Sequence, residues 1–477
     1  MTSPRTIAAA FITLLATVAT AADRDAGPDA RPNIVFMLAD DQGWNGLSVA
    51  MHPEIAASRG EIFQTPNLER LAAAGMRFSN AYAPAPVCSP TRISLQTGKS
   101  PARLHWMKAA PPESGHPLLE PQLVKQIADD EATIGEVLRK AGYATAHYGK
   151  WHIAGGGPGR HGYEDHDGDT GNEQAYQFID PNPVDIFGMA DRAQAFMAKN
   201  SQAGKPFFIQ LSWNLLHASE NALKATLAKY ERLTGGSGDK RTSTAAITED
   251  LDTGVGRVLD AIDELGLTDT TYVIYMSDNG SGGGGRRGGL SGGKGSVWEG
   301  GIRVPLIVRG PNVAANSWCH VPVVGYDLFP TLCKWAKVPK AALPAGIEGG
   351  SIAPLLAHDG RVEVQRPREE LVFHFPHYQT GNTPHSAIRV GDLKLLKFYE
   401  DDSVKVFNLA KDLGERNDLA TQRPADAMRL RGRLETYRAD VDAQLPTINP
   451  QFDPTRPAFP GRRRGGAAKG VKKKDRP

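Results

Sequence analysis

The sequence predicts an α/β protein: a large mixed, mostly parallel sheet flanked by helices, plus a smaller C-terminal antiparallel-sheet subdomain with a helix. Three observations predict it. Four continuous apolar runs between Arg31 and about Lys340 alternate with amphipathic helical patterns, as strands buried on both faces do. Each of those runs ends in polar or charged residues. After Trp335 the pattern changes to Pro- and Gly-rich stretches and short strand-like runs separated by turn signals.

Taken in order, "NIVFMLADD" (Asn33 to Asp41) is an apolar strand ending in two carboxylates. "TIGEVLRKAG" places Ile134, Val137, Leu138 and Ala141 on one helical face, and "YATAHYGKWH" (Tyr143 to His152) follows as the next strand. "PFFIQLSWNLLH" ends at His217. A long helix carrying Ile247, Leu251, Val255, Val258, Leu259 and Ile262 then leads into "TYVIYMSDNG", which ends at Asp278-Asn279. The late runs "LVFHF", "SAIRVGDLKLLKF" and "VKVFNL" make the small sheet, closed by a helix from Ala425 to Tyr437. The expected organisation is a signal peptide at 1–22, a catalytic domain at 31–365, a C-terminal subdomain at 366–450 and a basic tail at 451–477.

The leader has Arg5, the apolar run Ile7 to Val18 and a small-residue stretch Ala19-Thr20-Ala21-Ala22, the pattern of a Sec-type secretory signal. The run is shorter than the roughly 20 residues of a membrane span, so export to the periplasm or outside is expected, without stable membrane insertion. Net charge is +2, but eight basic residues against Asp475 give the tail from Gly461 a local +7, leaving −5 for the rest. Such a tail reads as disordered, and nothing else in the chain speaks for nucleic acid. Three cysteines exclude a disulfide scaffold; Cys319 and Cys333 are free to pair, which leaves Cys88 as an exported thiol wanting an explanation.

In open α/β sheets, ligands bind outside the carboxyl ends of the strands. A lone Asp there is most often a cap or a turn; four strand ends converging on one edge make a constellation. Asp40, Asp41, Asp278 and Asn279 offer hard oxygen ligands only, a set suited to Ca²⁺, or less well Mg²⁺, and not to zinc. In "CSPTR", Pro90 is placed like the first residue of a helix, which puts Cys88 at a helix N-terminus with Arg92 within one turn.

"CSPTR" followed by "LQTGKSPAR" resembles the type I sulfatase signature. "NIVFMLADDQGW", "TIGEVLRKAGYATAHYGKWH", "EDLDTGVGRVLD", "YMSDNG" and "GGKGSVWEGGIRVPLIVRGP" resemble the same family in the same order, from about Arg31 to Asp418. The resemblance implies an arylsulfatase-like member of the alkaline phosphatase superfamily. It implies that a maturation enzyme oxidises Cys88 to formylglycine, whose hydrate attacks sulfur while a Ca²⁺ ion held by Asp40, Asp41, Asp278, Asn279 and residue 88 takes up charge. His217 with Lys294 would then protonate the leaving oxygen, His152 would release sulfate by taking a proton from the second hydroxyl, and Arg92 and Lys150 would hold the diol and sulfate. This chain reads "LLHAS" where the family commonly has Pro-His-x-Pro.

For specificity, "HFPHYQTGNTPHSAIR" resembles bacterial carbohydrate sulfatases, and the resemblance implies that His374, His377, His385 and Arg389 contact a sulfated saccharide substrate; a purely structural loop is the alternative reading. Sulfated galactose or N-acetylgalactosamine units lead, with aryl sulfates as artificial substrates. Two other readings stand beside this one: a phosphonate or phosphate ester hydrolase of the same superfamily, and a non-catalytic binder of sulfated glycans.

Overall fold

The computed structural model describes residues 31–456, apart from 177, 180, 181, 218–220, 236–239, 283–286 and 380. The expected signal peptide and the basic run from Gly461 lie outside the described residues. An eight-stranded sheet is built from β1 (Asn33–Ala39), β2 (Met76–Phe78), β3 (Ala144–Gly149), β4 (Asp165–His166), β5 (Phe207–Ser212), β6 (Thr271–Ser277), β7 (Leu306–Arg309) and β8 (Ser317–Cys319). Its order is β8-β2-β7-β6-β1-β5-β3-β4. The run from β6 to β4 is parallel throughout, β7 is antiparallel to both of its neighbours, and β8 is parallel to β2. This is the mixed, mostly parallel sheet the sequence predicts. The four apolar runs are the adjacent strands β6, β1, β5 and β3, so their polar ends meet at one edge.

Side-chain alternation splits the core. Val35, Met37 and Ala39 of β1 face one layer, with α3 (Ile186–Gln202) and α4 (Lys240–Glu264); Ile34, Phe36 and Leu38 face the other. That second layer holds α1 (Cys88–Thr97), α2 (Ile134–Lys140) and α5 (Leu328–Trp335). A capping box fixes the start of α2: Thr133 accepts from the Glu136 N–H while the Glu136 carboxylate accepts from the Thr133 N–H.

The small sheet consists of β9 (Leu371–Phe375), β10 (His385–Val390), β11 (Leu393–Phe398) and β12 (Val404–Asn408), antiparallel and in chain order. One of its faces packs Val372, Ile388 and Leu395 against Leu430, Leu434 and Tyr437 of α6 (Pro424–Asp440). The other packs Phe373, Phe375, Ala387 and Leu396 against Tyr82, Val87, Val297 and Ile302. Covered on both faces, it buttresses the residue before α1 and the loop after Lys294. Among the described residues, no helix is long and apolar enough to cross a membrane.

Candidate active site

Strand alternation explains why the acidic residues converge. Leu38 and Met276 point towards the α1 layer, and two residues further on the same parity carries Asp40 and Asp278 to that face. A close approach locks them together, since the Asp278 N–H donates to the Ala39 carbonyl and the Asp41 N–H donates to Asp278 Oδ1 at 3.1 Å. Gly280 is required here: a Cβ would fall 2.0 Å from the Gly300 carbonyl oxygen. Three of the strand-end loops hold a non-glycine residue in the left-handed region, Asp41 (φ 63°), His152 (φ 60°) and Leu216 (φ 75°). Such conformations cost about 1–3 kcal/mol each and concentrate at functional sites.

All ten residues of α1 are buried, and Cys88 is its first residue. The helix thus starts two residues before Pro90, which is its third residue rather than its first; that position is still within the first turn, where an N–H has no helical partner. Val87 makes no side-chain cap, so the N-terminal end of α1 presents its dipole beside Cys88. From the same helix Arg92 reaches the strand ends: its Nη2 lies 2.8 Å from Asp278 Oδ2 and its Nη1 donates to the Lys150 carbonyl at 2.6 Å. Cys319 and Cys333 are free thiols in the α1-side core, where burial pushes them up to about 11 and about 12.

Lys150 pairs with Asp40 Oδ2, and Lys294 Nζ lies 2.5 and 2.7 Å from the two oxygens of Asp41. The Asn279 amide donates to Asp41 Oδ1 at 2.7 Å. Carboxylate oxygens of Asp40, Asp41 and Asp278 all fall within 4.8 Å of one another. In this tight group Asp40 Oδ1 and Asn279 Oδ1 are buried and have no hydrogen-bond partner. Burial and the adjacent Asp40 charge push the Asp278 carboxyl well above the usual range, while Lys150 and Arg92 hold Asp40 below it. His152 and His217 line the same edge, each with a buried, unpartnered Nδ1. Burial, reinforced by Lys150 and Arg92, pushes His152 down to about 3. Burial pushes His217 down to about 4, against the opposing pull of Asp40.

The loop bearing Lys294 is pinned by three backbone bonds: Lys294 N–H to the Ser281 carbonyl, Gly295 N–H to the Pro86 carbonyl, and Val297 N–H to His385 Nε2 at 2.9 Å. His385 in turn donates from Nδ1 to the Thr383 carbonyl at 2.6 Å, which fixes its tautomer.

A family model described as sulfatase matches residues 32–338. The chain belongs to the sulfatase family. A second model, the C-terminal region of N-sulphoglucosamine sulphohydrolase, matches residues 293–440 of the sulfatase. It is 30% identical to human arylsulfatase A over 489 residues, covering 87% of this chain and 89% of the relative. It is 31% identical to human N-acetylgalactosamine-6-sulfatase over 343 residues, covering 63% and 61%. Its fold superposes on Ps i-CgsB in complex with k-i-k-neocarrahexaose with a TM-score of 0.70 at 24% identity, over 86% of this chain and 93% of that one. The protein is therefore an enzyme of sulfate ester hydrolysis.

The strand-end residues, Cys88, Arg92 and Lys294 are brought together in the sulfatase, but the four residues assigned to the substrate are not. His374 lies between Ser386 Oγ and the Gln444 carbonyl, His377 Nδ1 lies 2.7 Å from Glu120, and His385 holds the Lys294 loop. Arg389 bonds the Gly391 carbonyl and the Tyr82 hydroxyl. All four are buried, and none lines the cleft that opens beside His152. Framework groups take up His374, His385 and Arg389 on β9 and β10, which run between α6 and the catalytic loops, while His377 pairs with Glu120 through Nδ1 and keeps a buried Nε2 without a partner. That cleft, of about 860 Å³, is walled by segments the sequence reading did not single out, around Lys108, Lys125 and Asp169 to Glu173. The irregular stretch from His105 to Gln126 between α1 and α2 was the available signal, since long loops in compact domains are often binding loops.

Proposed function

We propose that this sulfatase is exported, matured at Cys88 to formylglycine by a dedicated enzyme, and removes sulfate from a sulfated carbohydrate with a resident Ca²⁺ ion. The observation that carries the reading is the pair of buried, unpartnered oxygens, Asp40 Oδ1 and Asn279 Oδ1, inside a three-carboxylate group beside the first residue of α1. Unpaired buried oxygens are costly, and an all-oxygen donor set without histidine or thiolate fits a hard divalent cation. Asp40, Asp41, Asp278 and Asn279 would hold it. The ion would supply Lewis-acid charge at the sulfate, and hydrated formylglycine would supply a nucleophilic hydroxyl in place of the thiol.

The chain's own groups then divide the work. Arg92 and Lys150 surround the nucleophile and sulfate with fixed positive charge. His152, held neutral by burial, accepts a proton at its free nitrogen and so serves as the base. His217 and Lys294 face the leaving oxygen. Burial keeps His217 neutral in the empty site, and the negative charge of a bound ester beside it favours the protonated, acid form. The relatives named as N-acetylgalactosamine-6-sulfatases favour sulfated galactose or N-acetylgalactosamine units as substrates.

The test is peptide mass spectrometry across residue 88 of protein made in a host with the maturation enzyme, followed by turnover of sulfate and phosphate esters of one aryl alcohol. An aldehyde mass and faster sulfate release are expected. An aldehyde-bearing protein that releases phosphate faster would overturn the substrate assignment.

A further inference from the structure

The cleft beside His152 has two unlike walls. One is apolar, formed by Trp106, Ala109, Pro111, Pro112 and Leu123. The other runs from Asp169 to Glu173, and this wall is clipped to both histidine loops. The Thr170 hydroxyl donates to the Gly149 carbonyl at 2.5 Å, the His152 N–H donates to the Thr170 carbonyl at 2.8 Å, and the Asn214 amide donates to the Gly171 carbonyl at 2.7 Å. Asp169 and Glu173 are exposed on this wall, and no described residue hydrogen-bonds or ion-pairs with either carboxylate. Positive charge in the cleft does not match them. Lys108 is spent on Glu120, at 3.0 and 3.1 Å, and on the Tyr378 carbonyl at 2.7 Å. Burial disfavours a charge on His152. Lys125 alone remains, so the free charges of the cleft sum to one negative.

We propose that this cleft is the subsite for the saccharide next to the sulfated unit, and that it selects an uncharged, hydroxyl-bearing pyranose over one carrying a further anionic group. This rests on the sulfatase reading above and adds the chemistry of the neighbouring sugar. The apolar wall meets the ring C–H face, and Asp169 and Glu173 accept hydrogen bonds from sugar hydroxyls, being acceptors only when ionised. A carboxylate or second sulfate at that position meets two like charges at the rim, offset only in part by Lys125. The cations Arg92, Lys150 and Lys294 are confined to the sulfate pocket and each is paired with a carboxylate or carbonyl, so they do not offset this.

The experiment compares galactosyl-N-acetylgalactosamine with glucuronosyl-N-acetylgalactosamine, each as its 4-sulfate and its 6-sulfate, which adds one carboxylate to the neighbouring sugar. Using formylglycine-bearing protein at low salt, kcat/KM should favour the galactosyl compound by about tenfold, narrowing to about twofold in an Asp169→Asn/Glu173→Gln double variant and in high salt. A loss of structure would lower both rates together, whereas loss of charge changes their ratio. Equal rates, or a ratio the double variant leaves unchanged, would overturn the proposal. Should no sulfate ester turn over, the sulfatase reading fails first; affinity for the two desulfated disaccharides by calorimetry still decides the subsite, since the same preference and the same collapse are expected.

Discussion

Two of the sulfatase's buried groups of charges differ in how many of their polar atoms the chain itself supplies with partners. In the group that joins the catalytic loops to the small sheet, Glu299 accepts from Lys394 at 2.8 Å, from Arg303 at 2.7 Å and from the Tyr82 hydroxyl at 2.9 Å. Glu415 accepts from the Glu299 N–H at 2.7 Å and pairs with Lys394 at 2.8 Å. At the strand ends, equal burial leaves Asp40 Oδ1, Asn279 Oδ1 and the Nδ1 atoms of His152 and His217 without partners. Burial of charge is common to both and so marks neither as a site. The number of open valences makes the difference: the first group leaves only Glu415 Oε1 without a hydrogen bond, and that oxygen is 2.8 Å from the Lys394 ammonium, whereas the second leaves two oxygens and two imidazole nitrogens open and has room for an added cation.

Breaking each group should therefore give opposite phenotypes. Asp278→Asn is expected to lower kcat/KM for an aryl sulfate by at least about 10³-fold, with calcium content, read by elemental analysis, falling alongside. Glu299→Gln should instead destabilise the protein by about 3–5 kcal/mol, because it removes the buried charge that Lys394 and Arg303 share, while turnover per folded molecule changes little. A urea titration paired with rate measurements would sink the distinction if the two variants behaved alike. Next in size, Lys294→Ala should cut kcat by about 10²-fold with little change in the urea midpoint, its side chain being partly exposed. Wild-type turnover in that variant would remove Lys294 from the mechanism.

The smallest effect sharpens the comparison through acid. Burial pushes His374 down to about 3 and His385 down to about 4, from an ordinary value of 6.5. Both bind protons more readily when unfolded, so their contribution is fully present above about pH 6.5 and is lost as pH falls towards 4 and then 3. Between pH 7 and pH 5 a loss of about 2 kcal/mol for each histidine is expected. Denaturant midpoints on His374→Asn and His385→Asn proteins should be correspondingly less sensitive to pH in that interval.

The strand-end residues were legible because two simple regularities act together: apolar runs become central parallel strands, and alternation fixes the face on which the next residues emerge. Cys88 and Arg92 were legible as a motif, though the helix begins two residues earlier than Pro90 suggests. His374, His385 and Arg389 were not, because a sequence shows that a polar side chain lies on a strand but not which neighbouring layer covers it. Here the small sheet is covered on both faces, so side chains expected to meet substrate meet the framework. The walls of the cleft escaped notice for the converse reason. Asp169 and Glu173 sit in an irregular loop with no periodicity, and only the bonds from Thr170 and Gly171 bring that loop against the histidines.

The position of Cys88 also sets an order of events in the life of the chain. Its side chain is 1% exposed, at the start of a helix whose every residue is enclosed, behind a lysine loop and a small sheet contributed by sequence some 200 to 300 residues further on. No enzyme can close its own active site around that sulfur once these later segments have docked. The maturation proposed for residue 88 would therefore belong to the interval between emergence of the CSPTR segment and arrival of the C-terminal strands, and rapid folding would work against it. Variants that slow docking of the small sheet without unfolding the finished protein would widen that interval.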